Sequence, residues 1–134
     1  MYYPHDFHMV RGALHCEGVP IARIAREAGT PVYVYSYKTL VDHVRKLQRA
    51  FASVRPLICF SVKANGNLAI LKLLVRQGAG LDIVSGGELY KARQAGCPAS
   101  RIVFASVGKR PEEIRDALRA GICCFNVESA SELE

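Results

Sequence analysis

A single lysine, Lys63, directly follows the apolar run Leu57–Val62, and an Asn65-Gly66 turn comes next. A short apolar run that starts after Pro56 predicts a strand buried on both faces. In folds where strands and helices alternate, ligands bind at the carboxyl ends of the strands. A lysine at such an end would be partly desolvated, which favours its neutral, nucleophilic amine. The alternative is a lysine that only ends the strand and points to water, which is the commoner case for this residue type.

Two carboxylates follow the lysine at the predicted end of the next strand. Asp82 lies within the apolar segment 81–84, where a carboxylate is costly to bury without a cation. The neighbouring strand's Lys63 is its natural partner, unless the strand is short and Asp82 faces outward. Ser85 and Glu88 have the spacing of a capping box, and the two glycines between them allow a tight turn or a close ligand. Lys63, Asp82 and Glu88 are thus predicted to meet at one active-site edge.

Strands and helices alternate from residue 56 onward, which predicts an α/β fold with a parallel sheet and right-handed crossovers. The predicted strands are 57–62, 81–84, 102–105 and 122–127, and the helices about 67–77, 87–95 and 111–120, with a capping box at Ser129–Glu132 opening another. Before them we predict a hairpin at 7–10 and 13–16, a helix at 20–28, a strand at 32–35 and a helix capped by Ser36. The count fits about half of an eight-unit barrel, which typically needs about 250 residues; an open doubly wound sheet is the alternative.

Composition excludes several classes of protein. The chain has 134 residues, half of them hydrophobic, and a net charge of +6 from dispersed basic residues; dispersed charge argues against a nucleic-acid partner. It has no apolar run that could span a membrane and no signal peptide, so a cytoplasmic protein is expected. Five cysteines without a Cys-x-x-Cys pattern predict buried free thiols, and the isolated pair His5 and His8 predicts no metal site.

Several motifs together resemble a known family. The segment Phe60–Asn67 (FSVKANGN) is similar to the lysine motif of alanine-racemase-fold (fold-type III) decarboxylases, which use pyridoxal 5'-phosphate. The segment Gly78–Leu89 (GAGLDIVSGGEL), with 29–35, 101–104 and 108–109, resembles most closely the diaminopimelate decarboxylases. Val-Lys-Ala-Asn alone would also suit alanine racemase, but the combined motifs extend through nearly the whole chain.

The resemblance implies a (β/α)8 TIM barrel joined to a β-rich domain, in a homodimer with shared active sites. Residues 1–36 would contribute to the β domain, and 37–134 would form the N-terminal part of the barrel. Lys63 would be the catalytic residue that binds the cofactor covalently. Asp82 and Glu88 match acidic positions on the same side of the cofactor, and Asn65 and Ser85 would line the pocket.

The implied reaction is decarboxylation of meso-diaminopimelate to L-lysine and carbon dioxide, in lysine biosynthesis. A related activity on ornithine, arginine or a polyamine precursor stays open, as does a non-catalytic, truncated homologue. The family's phosphate-binding glycine loop, its substrate-binding arginines and its catalytic cysteine would lie beyond Glu134, so an isolated chain of this length is expected to be inactive. No catalytic role is assigned to residues 105–109.

Overall fold

The computed structural model describes residues 5–133 and groups the chain into two compact units, Met1–Lys46 and Leu47–Glu134. The division falls within a helix, ten residues after the domain boundary that the sequence suggested. That boundary, between residues 36 and 37, stays a prediction.

The first unit contains a small antiparallel sheet in the order β1-β2-β3, with strands β1 (Phe7–Val10), β2 (Ala13–Cys16) and β3 (Val19–Pro20). The predicted hairpin is confirmed, and its turn residues Arg11 and Gly12 both have positive φ, 47° and 79°. Helix α1 (Ile21–Ala28) follows at once. Strand β3 was not predicted, because two residues are too few to carry a periodic signal.

Helix α2 (Tyr37–Ala50) begins after Ser36, whose Oγ accepts a hydrogen bond from the Thr39 N–H at 2.9 Å. The predicted cap is therefore confirmed. The predicted strand at 32–35 is wrong, because these residues pair with no strand in the described part of the chain, and Tyr33 is 88% exposed. β-branched and aromatic residues favour a strand only where a neighbouring strand is available to pair.

The second unit is a four-stranded parallel sheet in the order β4-β5-β6-β7. Its strands are β4 (Cys59–Ser61), β5 (Gly80–Ile83), β6 (Ile102–Ala105) and β7 (Cys124–Asn126), and its helices are α3 (Leu68–Arg76), α4 (Gly86–Gln94), α5 (Pro111–Ala120) and α6 (Ala130–Leu133). Each strand pairs with the next one along the chain, without the reversal of a doubly wound sheet. This arrangement is that of the first half of a (β/α)8 barrel, as predicted.

The core lies between the sheet and its helices. Its largest fully buried side chains are Val62, Leu71, Leu81, Ile83, Ile102 and Phe104. Side chains alternate between the two faces of a strand, so Ser61, Asp82, Val103 and Cys124, which pair in register, share the opposite face. We call this the open face, because these four residues are half-buried or exposed. The prediction that β4 is buried on both faces is therefore wrong for the described residues.

All five cysteines are free thiols, as predicted. Cys16 and Cys97 are buried, and burial raises the pKa of both thiols. The predicted burial of Cys123 and Cys124 is wrong: both are exposed. Among the helices described, none is long and apolar enough to cross a membrane.

Candidate active site

Lys63 lies in a short 3-10 turn, Val62–Ala64, that directly follows β4. Val62 is fully buried in the core, and the Asn65 N–H closes the turn by donating to the Val62 carbonyl at 3.1 Å. The Lys63 side chain is exposed, so the expected desolvation is absent; the turn carries the residue past the end of the sheet. Within residues 5–133, no hydrogen bond or ion pair engages its ammonium group. The amine is therefore uncommitted at the carboxyl edge of the sheet.

Asp82 lies beside Ser61, its register partner on β4. The Ser61 Oγ and Asp82 Oδ1 atoms are both buried, and neither has a hydrogen-bonding partner. The predicted ion pair with Lys63 is wrong, because Asp82 pairs with Ser61 and Lys63 comes two residues later. Buried polar atoms are nearly always hydrogen-bonded in native proteins. These two orphaned oxygens therefore mark a position on the open face where an external polar group fits.

Ser85 and Glu88 shape the turn between β5 and α4. The Ser85 Oγ accepts a hydrogen bond from the Glu88 N–H at 3.2 Å, and the Glu88 Oε2 accepts one from the Val84 N–H at 2.8 Å. The predicted cap is confirmed, although the carboxylate reaches Val84 instead of the N-cap residue itself. These bonds commit part of both side chains to the backbone, so their proposed contact with a cofactor stays a prediction.

Asn65 has a similar local role. Its Oδ1 accepts a hydrogen bond from the Asn67 N–H at 3.0 Å, and the Asn67 Oδ1 in turn caps α3 by accepting from the Ala69 N–H at 2.9 Å. Such turns are the usual local structure of asparagine. The turn after Lys63 is thus held by the asparagine side chains on either side of Gly66.

Two glutamates connect neighbouring loops at this edge; the sequence suggested only one of them, Glu132, and only as part of a capping box. Glu113 accepts from the Gly86 N–H at 2.7 Å and from the Arg110 N–H at 3.1 Å, and these two bonds lower the pKa of its carboxyl group. Glu132 forms an ion pair with Lys109, which, with the Glu128 N–H, lowers the pKa of Glu132. Each glutamate is the third residue of its own helix, the position from which a glutamate caps the helix start. The sequence can therefore show this local cap, but not the contacts with Gly86 and Lys109, which follow the neighbouring strands β5 and β6.

The carboxyl edge therefore offers the free primary amine of Lys63, in the turn directly after β4, and two orphaned oxygens on the open face. A lysine amine condenses with aldehydes and is the usual covalent attachment point of pyridoxal phosphate. An exposed amine and unpartnered polar atoms fit the aldehyde end of that cofactor. Ser61 is the residue that sequence reasoning missed here; its place two residues before Lys63 was the available signal.

Comparison with known proteins agrees with this geometry. Residues 37–134 match the family described as pyridoxal-dependent decarboxylase, pyridoxal binding domain. Diaminopimelate decarboxylase of Neisseria meningitidis serogroup B is 50% identical over 121 residues, 90% of this chain and 29% of its own length. The Aquifex aeolicus enzyme of that name is 49% identical over 123 residues, covering 92% of this chain and 29% of its own.

Solved structures of decarboxylases also superpose on this chain. The diaminopimelate decarboxylase of M. jannaschii in complex with L-lysine superposes with a TM-score of 0.91 at 36% identity, covering 95% of this chain and 31% of that one. The arginine decarboxylase of Paramecium bursaria Chlorella virus superposes with a TM-score of 0.74 at 26% identity, covering 84% of this chain and 31% of that one.

The chain thus spans about 30% of the length of the curated relatives it matches. The predicted resemblance to diaminopimelate decarboxylases is confirmed over this span. Because the family match covers most of the chain, from residue 37 to residue 134, the chain belongs to the pyridoxal-dependent decarboxylases and carries residues of their pyridoxal-binding domain.

Proposed function

We propose that the protein carrying this chain decarboxylates meso-diaminopimelate to L-lysine and carbon dioxide, with pyridoxal phosphate bound to Lys63. The observation that carries the proposal is the uncommitted Lys63 amine at the carboxyl edge of β4, inside the segment that matches the pyridoxal-binding domain. The choice of substrate is supported by about 50% identity to diaminopimelate decarboxylases, against 26% to the arginine decarboxylase.

The chain's residues would divide the work as follows. Lys63 Nζ would be the group that holds the aldehyde end of the cofactor. Ser61 Oγ and Asp82 Oδ1 are the buried atoms available to polar groups of the cofactor or substrate. Glu88, through its bond to the Val84 N–H, holds the turn after β5 in place. When bound, pyridoxal phosphate supplies the electron sink that stabilises the negative charge left as carbon dioxide departs.

The remaining partners are part of the same proposal. A homodimer in the cytoplasm is supported by the resemblance of the motifs to this family. An amino acid as the small-molecule ligand is supported by the L-lysine bound in the M. jannaschii relative. Dispersed positive charge supports a protein without a nucleic-acid partner.

The test uses the longest polypeptide that the gene encodes, purified and loaded with pyridoxal phosphate. We expect a visible absorbance band from the lysine-bound cofactor, borohydride trapping on the Lys63 peptide, and carbon dioxide release from meso-diaminopimelate. Lys63→Ala should abolish all three, and the matched control Lys72→Ala, an exposed lysine on α3, should leave them intact.

Each failure has a distinct meaning. A band that survives Lys63→Ala would exclude Lys63 as the attachment point. Release from ornithine or arginine, but not from meso-diaminopimelate, would overturn the substrate. Cofactor binding without turnover of any of these amino acids would indicate the non-catalytic homologue.

A further inference from the structure

Lys109 is a buried lysine that the proposed chemistry does not use. Its side chain is only 1% exposed, which is rare for lysine unless the charge is paired. The ammonium donates to the Ser106 carbonyl at 2.7 Å, to the Asn126 carbonyl at 2.6 Å and to the Glu132 carboxylate. A lysine ammonium has three protons, so three acceptors satisfy it completely. Unlike Lys63, Lys109 is committed to the protein.

These three acceptors lie on different segments of the carboxyl edge. Ser106 directly follows β6, Asn126 is the last residue of β7, and Glu132 lies on α6. Glu132 is fixed in turn, because its second oxygen accepts a hydrogen bond from the Glu128 N–H at 2.7 Å. One ammonium group thus connects the loop after β6, the end of β7 and the start of α6.

The connection matters because of the direction in which Asn126 faces. Asn126 pairs in register with Ala105, two residues beyond Val103 and therefore on the open face with Asp82 and Ser61. Its side chain is exposed and lies closer to the carboxyl edge than the Asp82 row. Lys109 binds the carbonyl of this same residue, so it fixes the backbone that orients the Asn126 side chain.

We propose that Asn126 is a further residue of the cofactor site and that Lys109, held by Glu132, is its positioning residue. The inference rests on the proposed function, since it assumes that the open face receives pyridoxal phosphate. The Asn126 side-chain amide offers both donors and an acceptor to polar atoms of the cofactor or of the substrate bound to it. Loss of the Lys109 ammonium leaves two backbone carbonyls and a carboxylate without their donor, and the end of β7 loosens.

The experiment compares Lys109→Met, Asn126→Ala and the double variant in the longest polypeptide that the gene encodes. Two quantities are measured: the dissociation constant of pyridoxal phosphate by absorbance titration, and amide hydrogen exchange of segments 106–110 and 126–132 without cofactor. Lys72→Met, an exposed helix lysine, is the control and should change neither.

We expect Lys109→Met to weaken cofactor binding by about three- to tenfold, the same as Asn126→Ala, because it acts through that side chain, and to speed exchange in both segments. Asn126→Ala should weaken binding about three- to tenfold without a change in exchange. In the double variant the Asn126 effect should shrink, because that side chain is no longer held in place. Glu132→Gln keeps an acceptor for Lys109, so it should weaken cofactor binding and speed amide exchange less than Lys109→Met does.

Several results would overturn the inference. Unchanged cofactor binding in Asn126→Ala would remove Asn126 from the site, and that variant alters only an exposed side chain even if Lys109→Met fails to fold. An undiminished Asn126 effect in the double variant would show that Lys109 does not position it. If the unaltered protein binds no cofactor, the proposed function itself fails, and the exchange measurement still shows whether Lys109 holds the two segments.

Discussion

Replacing Asp82 by alanine should have opposite effects on the cofactor-free and cofactor-loaded protein. The Oδ1 atom of Asp82 is buried without a hydrogen-bonding partner. A buried polar atom left unsatisfied costs about 1–3 kcal/mol. Asp82 is only half-buried, so the low end of that range applies. Asp82→Ala removes the penalty, and we expect the free energy of unfolding of the cofactor-free protein to rise by about 1 kcal/mol.

The loaded protein should behave differently, because the same atom is one of those available to the bound group. Asp82→Ala should weaken pyridoxal phosphate binding, and the stabilisation that saturating cofactor gives should shrink accordingly. Urea unfolding with and without cofactor measures both effects on one protein. Asp116→Ala is the control, since that carboxylate is 66% exposed on α5 and its loss should change stability by less than about 0.5 kcal/mol.

Two results would refute this reasoning. A cofactor-free Asp82→Ala protein that is less stable by about 1 kcal/mol or more would show that the carboxylate is satisfied within the folded chain. Unchanged cofactor affinity would show that Asp82 does not face the bound group.

Two further predictions concern the scaffold. Gly80→Ala should destabilise by about 1–3 kcal/mol, because the added Cβ would clash with the backbone carbonyl of Arg101. The control is Gly108→Ala, which has open space around it, and equal urea midpoints of the two variants would contradict the prediction. Acid should weaken the contact that Glu113 makes with the loop after β5. The hydrogen bond from the Gly86 N–H is the main reason that the pKa of Glu113 is lowered in the folded protein. As pH falls, the unfolded chain therefore binds a proton at this residue before the folded chain does. The contribution of Glu113 to the free energy of unfolding is present above the ordinary glutamate pKa of about 4.3. It is lost as pH falls through the lower pKa of the folded state. Glu113→Gln should therefore flatten the decline in unfolding free energy between about pH 5 and pH 3, and an unchanged slope would disprove it.

Sequence predicted best those features that depend on neighbours along the chain. The strand at 102–105 and the helix at 111–120 have the predicted bounds. Gly121 ends that helix in the left-handed conformation, φ 68°, which is the local preference of glycine after a helix. Lys63 was placed correctly at the end of a strand because the apolar run and the Asn-Gly turn on either side of it are local signals.

The contacts at the carboxyl edge needed the tertiary structure. The strand predicted at 32–35 has no pairing partner among the described residues, and the cation predicted for Asp82 is absent. Lys109 and Glu132 are separated by 23 residues, and the sequence around each of them does not predict that they form an ion pair. The chain by itself therefore determined its alternating elements, its caps and the position of Lys63, since these follow from periodicity and local hydrogen bonds. Only the packing of parallel strands, which sets register and brings distant loops to one edge, decided which side chains are paired and which remain free.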